Sequence, residues 1–169
     1  GNVLRYERNT SLQVQNGYIA NIGSPTSNNS IDCKGKLVTP GFIDSHTHPI
    51  FDNNRNEEHQ QRLLGETYEE IARNGGGIIS SIEGVRNSTA DELYNKAFQR
   101  MDRFISLGTT TIEAKTGYGL NTDSELKSLE VIKNLDLNQS IDLVPTFMGA
   151  HAFPVEYQKN QQGFVNLII

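Results

Sequence analysis

Apolar and polar residues alternate along the first part of the chain with the period of β-strands. The stretch SLQVQNGYIANIG, residues 11–23, alternates on both sides of Asn-Gly at 16–17, which is typical of two strands joined by a two-residue hairpin turn. A second pair of short strands is predicted around Lys-Gly at 34–35, before Pro-Gly at 40–41 breaks the pattern. Residues 1–39 are therefore predicted to form a small β-element.

Beyond residue 40 the pattern changes to alternating strands and helices. The clearest helix is predicted over TADELYNKAFQRMDRFISLG, where apolar residues recur at helical spacing, Ser88 or Thr89 can cap the start and Gly108 ends it. Strand–helix–strand order is typical of a mostly parallel α/β sheet covered by helices. The other predicted elements are strands at GFIDSHTH, TTTIEA and SIDLVPTFMGAHAF, and helices at ETYEEIARN and DSELKSLEVIKNLDL.

Composition and net charge limit the kinds of partner that the chain is expected to bind. With 36% hydrophobic and 21% charged residues, the 169-residue chain is expected to be globular with one ordinary core. The net charge of -5 argues against nucleic acid or an anionic membrane surface, and there is no apolar run of membrane-spanning length. The single cysteine, Cys33, cannot form an internal disulfide, so we expect a reducing compartment, the cytoplasm.

Polar residues that can carry chemistry follow the predicted strands. His46 and His48 lie two residues apart, and on a strand such residues face the same side, so their imidazoles can bind one metal ion. His151 lies at the C-terminal end of the third predicted strand and taken alone could be an ordinary hydrogen-bonded histidine. Lys115 could be carboxylated on its amine and so bridge two metal ions, but this interpretation is less favoured. The glycines at 75–77 are interpreted as a loop, because no Gly-Lys-Ser or Gly-Lys-Thr follows them as in a phosphate cradle.

These motifs resemble a known family. PGFIDSHTHPIF resembles the first-strand signature of the amidohydrolase superfamily, whose members are metal-dependent (β/α)8-barrel hydrolases with a small β-sandwich. EAKTGYGL and FMGAHAFPVEY are more specific and resemble the imidazolonepropionase family. The resemblance implies that residues 1–39 are part of the sandwich and residues 40–169 the first part of the TIM-like barrel.

The resemblance also implies a role for each candidate residue. His46 and His48 would bind one divalent or trivalent metal ion, zinc or iron. Arg55 would bind the substrate carboxylate, and Tyr118 would contact the substrate through its hydroxyl. His151 would bind the imidazolone ring and act as a catalytic residue by stabilising developing charge. The implied reaction is hydrolysis of a C–N bond of 4-imidazolone-5-propanoate to N-formimino-L-glutamate.

Three predicted strands cannot close an eight-stranded barrel, which takes about 250 residues. We therefore expect the first part of a longer enzyme, a homodimer when full-length, with further metal ligands elsewhere and little activity in this stretch alone. Two alternatives remain open. One is another cyclic amidohydrolase or deaminase of the superfamily, such as a guanine-deaminase-like enzyme, for which the pair Arg55 and Tyr118 would be superfluous. The other is a non-catalytic half-barrel.

Overall fold

The computed structural model describes residues 6–24 and 29–169, and the chain divides into two compact units, residues 1–40 and 41–169. The first unit contains strands β1 (Ser11–Gln15) and β2 (Tyr18–Gly23). The second contains strands β3 (Phe42–Thr47), β4 (Thr109–Lys115) and β5 (Asp142–Thr146), a short 3-10 helix (Val155–Tyr157), and helices α1 (Asn56–Leu63), α2 (Tyr68–Arg73), α3 (Ile78–Asn87), α4 (Ala90–Ser106), α5 (Thr122–Asn138) and α6 (Gln161–Ile168). None of the helices in the described part of the chain is long and apolar enough to cross a membrane.

The predicted hairpin of the first unit is confirmed. Strands β1 and β2 pair antiparallel, and the turn residues Asn16 and Gly17 both have positive φ, 52° and 80°. Positive φ at both central residues is the requirement of a type I′ turn, which Asn-Gly meets at little cost.

The second predicted strand pair is wrong, although its turn is present. Lys36 N donates a hydrogen bond to Cys33 O at 2.9 Å, and Lys34 and Gly35 have positive φ, but residues 29–40 form no strand. Ile31 and Leu37 on the two sides of the turn are 91% and 74% exposed. A lone hairpin without an apolar face to bury is marginal in water, so the turn forms without its ladder.

The second unit is an α/β fold, as predicted. Its three strands form one parallel sheet in the order β3-β4-β5, and α5 carries the chain from β4 to β5. The central strand β4 buries Ile112 and Ala114 completely. Because parallel strands all end at the same edge, the segments that follow the three strands lie near one another.

Helix α4 covers this sheet and confirms the periodicity prediction. Leu93, Ala97 and Met101 recur every four residues and are fully buried in the same core cluster as Ile112. Thr89 and Glu92 form a capping box, in which Thr89 Oγ1 accepts from Glu92 N at 3.2 Å and Glu92 Oε2 accepts from Thr89 N at 2.8 Å. The helix is therefore fixed by both its start signal and its apolar face.

Helix α3 was not predicted. It begins directly after the glycines at 75–77, so this run joins two helices. The backbone N–H of Gly77 donates to the half-buried Glu58 carboxylate of α1 at 2.8 Å. A protein carboxylate therefore already occupies the position that a phosphate cradle would offer to a ligand.

Candidate active site

Three aromatic rings lie together where the parallel strands end. His48 directly follows β3, Tyr118 follows β4 and His151 lies in the segment after β5. The ring centroid of His48 lies 4.7 Å from that of His151 and 4.9 Å from that of Tyr118, and the centroids of Tyr118 and His151 are 5.4 Å apart. We call these three residues the ring cluster. The structure thus brings together three of the residues singled out in the sequence.

The two predicted metal ligands are adjacent but differ in environment. His46 is exposed at the end of β3, and its ring centroid lies 5.9 Å from that of His48. His48 is partly buried, and its Nδ1 atom is buried without a hydrogen-bond partner in the described structure. Burial, followed by the charge of His151, lowers the pKa of His48 to about 4. His48 is therefore neutral near pH 7, with a ring nitrogen available for a ligand.

A neutral imidazole with an unpartnered nitrogen has the chemistry of a zinc or iron ligand. No group of three or more His, Cys, Asp or Glu side chains able to hold a metal ion occurs in residues 6–24 and 29–169. Asp44 accepts a hydrogen bond from the backbone N–H of His46 at 3.2 Å and so supports the strand end. Catalytic zinc sites usually take three protein ligands. The described residues therefore fit part of a metal site and do not complete one.

His151 is oriented by the backbone of the segment that carries Tyr118. Its Nδ1 lies 2.9 Å from the carbonyl oxygen of Gly117. Because a carbonyl only accepts hydrogen bonds, Nδ1 carries the proton, and Nε2 is the ring atom left for another partner.

Arg55 takes no part in the ring contacts and is held by a different element. It lies just before α1, half-buried, and its Nη2 donates to Ser81 Oγ of α3 at 2.8 Å. Ser81 is only 3% exposed. A serine at this position of an unpredicted helix gave no sequence signal of a role.

Lys115 forms an ion pair with Glu113 that the sequence did not reveal. Lys115 Nζ lies 2.6 Å from Glu113 Oε1, and Thr146 Oγ1 donates to the same oxygen at 2.9 Å. The hydrogen bond from Lys115, followed by that from Thr146, lowers the pKa of Glu113. The ammonium of Lys115, a residue that is 8% exposed, is thus already paired with a carboxylate of its own strand, β4.

No family model matches the chain, but comparison with known proteins identifies relatives of it. It is 45% identical to the imidazolonepropionase of Clostridium tetani over 95% of the chain and 41% of that protein. It is 52% identical to that of Brevibacillus brevis over 82% of the chain and 33% of that protein, and 43% identical to that of Flavobacterium psychrophilum over 94% and 40%. The chain thus spans about a third to two fifths of the length of these relatives. The resemblance indicated by its motifs is confirmed, and the chain is related to the imidazolonepropionases over nearly all of its length.

Proposed function

We propose that the protein containing this chain is a metal-dependent imidazolonepropionase, which hydrolyses a ring C–N bond of 4-imidazolone-5-propanoate to give N-formimino-L-glutamate. The observation that carries the proposal is the ring cluster, which lies beside His46 where three parallel strands end. Ligands of parallel α/β folds bind at this edge. The names of the relatives agree with this reaction.

The proposed architecture is a (β/α)8 barrel of which residues 40–169 form the first part, with residues 1–39 as part of a small β-sandwich. The sequential parallel order of β3, β4 and β5 supports it. Phe42 and Ile43 on β3 and Val144 on β5 are 63%, 72% and 54% exposed, as expected of strands that further structure would cover. The proposal includes a homodimer and, from the single cysteine, a cytoplasmic enzyme with a small-molecule partner.

His46 and His48 would hold the zinc or iron ion. When bound, such an ion lowers the pKa of water from about 15.7 to about 7 and so supplies hydroxide near neutral pH. The lowered pKa of His48 supports this role, since a ligating imidazole must be neutral. The remaining ligands would come from outside the described residues.

Arg55 would bind the propanoate group, because a guanidinium pairs with a carboxylate through two parallel hydrogen bonds. Arg55 donates to Ser81 Oγ through its Nη2 atom alone, which leaves the other guanidinium N–H groups of Arg55 for the carboxylate. The Tyr118 hydroxyl would donate to a polar atom of the substrate. These two side chains would distinguish this substrate from a neutral purine.

His151 would stabilise charge on the ring. Its Nδ1–H is committed to Gly117 O, so only the doubly protonated imidazolium form of His151 would offer an Nε2–H to the carbonyl oxygen as water attacks the adjoining carbon. The ring C–N bond then breaks, and the departing nitrogen takes up a proton. A general base must remove the proton of the water, and we assign none to the described residues.

The test uses the full-length protein and follows the loss of 4-imidazolone-5-propanoate absorbance. Chelator-sensitive turnover is expected, nearly abolished in His46→Ala and with raised KM in Arg55→Ala. His59→Ala, which changes an exposed histidine of α1, is the matched control and keeps wild-type rates. If the protein binds one metal ion per chain and still fails to open this ring, the substrate assignment is wrong, and a neutral purine is the next substrate to try.

A further inference from the structure

A buried carboxylate holds the segment that carries Tyr118. Glu125, in the first turn of α5, is 4% exposed. Its Oε1 accepts from the backbone N–H groups of Gly119 at 2.7 Å and Leu120 at 2.9 Å, and its Oε2 accepts from Gly117 N at 3.0 Å. Three converging donors offset the cost of burying this carboxylate.

Glu125 is not needed to cap its own helix. The start of α5 is capped by Asn121, whose Oδ1 accepts from Ser124 N at 2.8 Å. The carboxylate of Glu125 instead reaches back to residues 117–120. Its contacts therefore fix the loop before the helix.

The carbonyl groups of the same loop are held by Arg86 of α3. Arg86 Nε donates to Gly119 O at 2.7 Å, and its Nη2 donates to Leu120 O at 3.1 Å. The same Nη2 donates to Glu156 Oε1 at 2.7 Å, in the segment that also carries His151. Arg86 thus ties together the loops that follow β4 and β5.

The loop held in this way is tight and strained. Gly117 has φ +108°, and a Cβ on it would lie 2.7 Å from Met148 O and 2.8 Å from His151 Cβ. Leu120 is buried with φ +50°, a conformation that a branched side chain adopts rarely and only when its surroundings impose it. The backbone of Leu120 is held in this conformation on both of its polar groups: its N–H donates to Glu125, and its carbonyl accepts from Arg86.

Gly117 connects the loop to both rings. Its N–H donates to Glu125, its carbonyl binds His151 Nδ1, and the next residue is Tyr118. We propose that Glu125 and Arg86 are positioning residues, which set Tyr118 and His151 against His48 by fixing the backbone of residues 117–120. The expected effect on kcat rests on the proposed function. The expected effect on the position of the rings rests on the hydrogen bonds alone.

The sharpest variant is Glu125→Gln, because it preserves the shape of the side chain. An amide offers one acceptor oxygen. With that oxygen in the place of Oε1, the 3.0 Å hydrogen bond from Gly117 N is lost to an NH2 group, and only the longer contact of Gly117 N at 3.2 Å remains. Arg86→Gln acts on the carbonyl groups of the loop and gives an independent variant if Glu125→Gln fails to fold. The matched controls are Glu130→Gln, an exposed residue of α5, and Arg73→Gln, an exposed residue of α2.

The experiment uses the full-length protein and three measurements. In Glu125→Gln and Arg86→Gln we expect the amides of residues 117–120 to exchange with solvent about tenfold faster, as loss of one charge-assisted hydrogen bond predicts. We expect the 15N NMR signal of His151 to shift. We expect kcat to fall about tenfold or more while bound metal stays constant, and KM to change less than kcat does, since Arg55 is held separately by Ser81.

The controls should match the wild type in all three measurements. Faster exchange with an unchanged His151 signal and unchanged kcat would overturn the positioning role, and so would a loss of activity that follows a loss of metal. If the wild-type protein does not open the imidazolone ring, the proposed function fails, and the His151 signal decides alone. A shift in both variants then supports positioning, and no shift overturns it.

Discussion

Removing the Ser81 hydroxyl tests how Arg55 is prepared for its substrate. Ser81 is 3% exposed and accepts a hydrogen bond from Arg55 Nη2 at 2.8 Å. Ser81→Ala deletes this acceptor and leaves the backbone of α3 unchanged. The freed guanidinium then has more rotamers, and the substrate carboxylate must order it on binding.

The expected loss is the cost of ordering the freed guanidinium side chain when the substrate binds. Immobilising a long side chain costs about 0.5–1.5 kcal/mol, and the upper end applies to a side chain as long as that of Arg55. About 1.5 kcal/mol corresponds to roughly a tenfold rise in KM. Since the carboxylate stays bound throughout the reaction, kcat should change less than about twofold.

The assay is steady-state turnover of 4-imidazolone-5-propanoate by the full-length protein. Ser128→Ala is the matched control, because Ser128 is also 3% exposed and bonds within its own helix, to Ser124 O at 2.8 Å. A tenfold rise in KM for Ser81→Ala alone is the expected result. An unchanged KM, or a fall in kcat at constant KM, would refute the reasoning that Ser81 prepares Arg55 for binding.

Three further predictions concern stability, measured by urea unfolding of the full-length protein. Leu93→Ala should cost about 2–5 kcal/mol because Leu93 is fully buried, whereas Leu137→Ala, at a 72% exposed position, should stay within about 0.5 kcal/mol; equal costs would contradict the core assignment. Thr89→Ala should cost about 1 kcal/mol through loss of the capping box, and no change would mean that packing alone fixes α4. The hydrogen bond from Lys96 lowers the pKa of Asp52 below 3.8. The contribution of the ionised Asp52 carboxylate to the free energy of unfolding is therefore complete above that pH and is lost on acidification. Asp52→Asn should therefore destabilise more at pH 7 than in acid, and an effect that does not diminish as the pH falls below 3.8 would contradict this contribution.

Local signals sufficed for the elements whose stability is local. The Asn-Gly turn at 16–17 and the apolar period of α4 predicted their structures, because turn geometry and helix amphipathicity act over a few residues. The Lys-Gly turn at 34–35 formed for the same reason. Its strands did not, because a ladder also needs an apolar face to bury.

Tertiary contacts explain what the sequence did not predict. Gly84 and two serines weaken the helical pattern of α3. A Cβ at Gly84 would lie 3.1 Å from Asp52 Cβ, so the close packing of this helix favours glycine there. For the candidate site, the histidines were found because they follow strands at a recognisable spacing. Glu125 and Arg86 were not, because their role consists of hydrogen bonds to a backbone that only the folded loop presents.

The order of the parallel sheet follows the order of the chain, β3 then β4 then β5. β4 and β5 can therefore each pair with a strand that precedes it in the chain, and among the described strands of this sheet none is inserted between two earlier ones. The contacts of Glu125 are also short in sequence, reaching back five to eight residues. The sheet edge and the loop that carries Tyr118 can therefore assemble during translation, in the order in which they are synthesised.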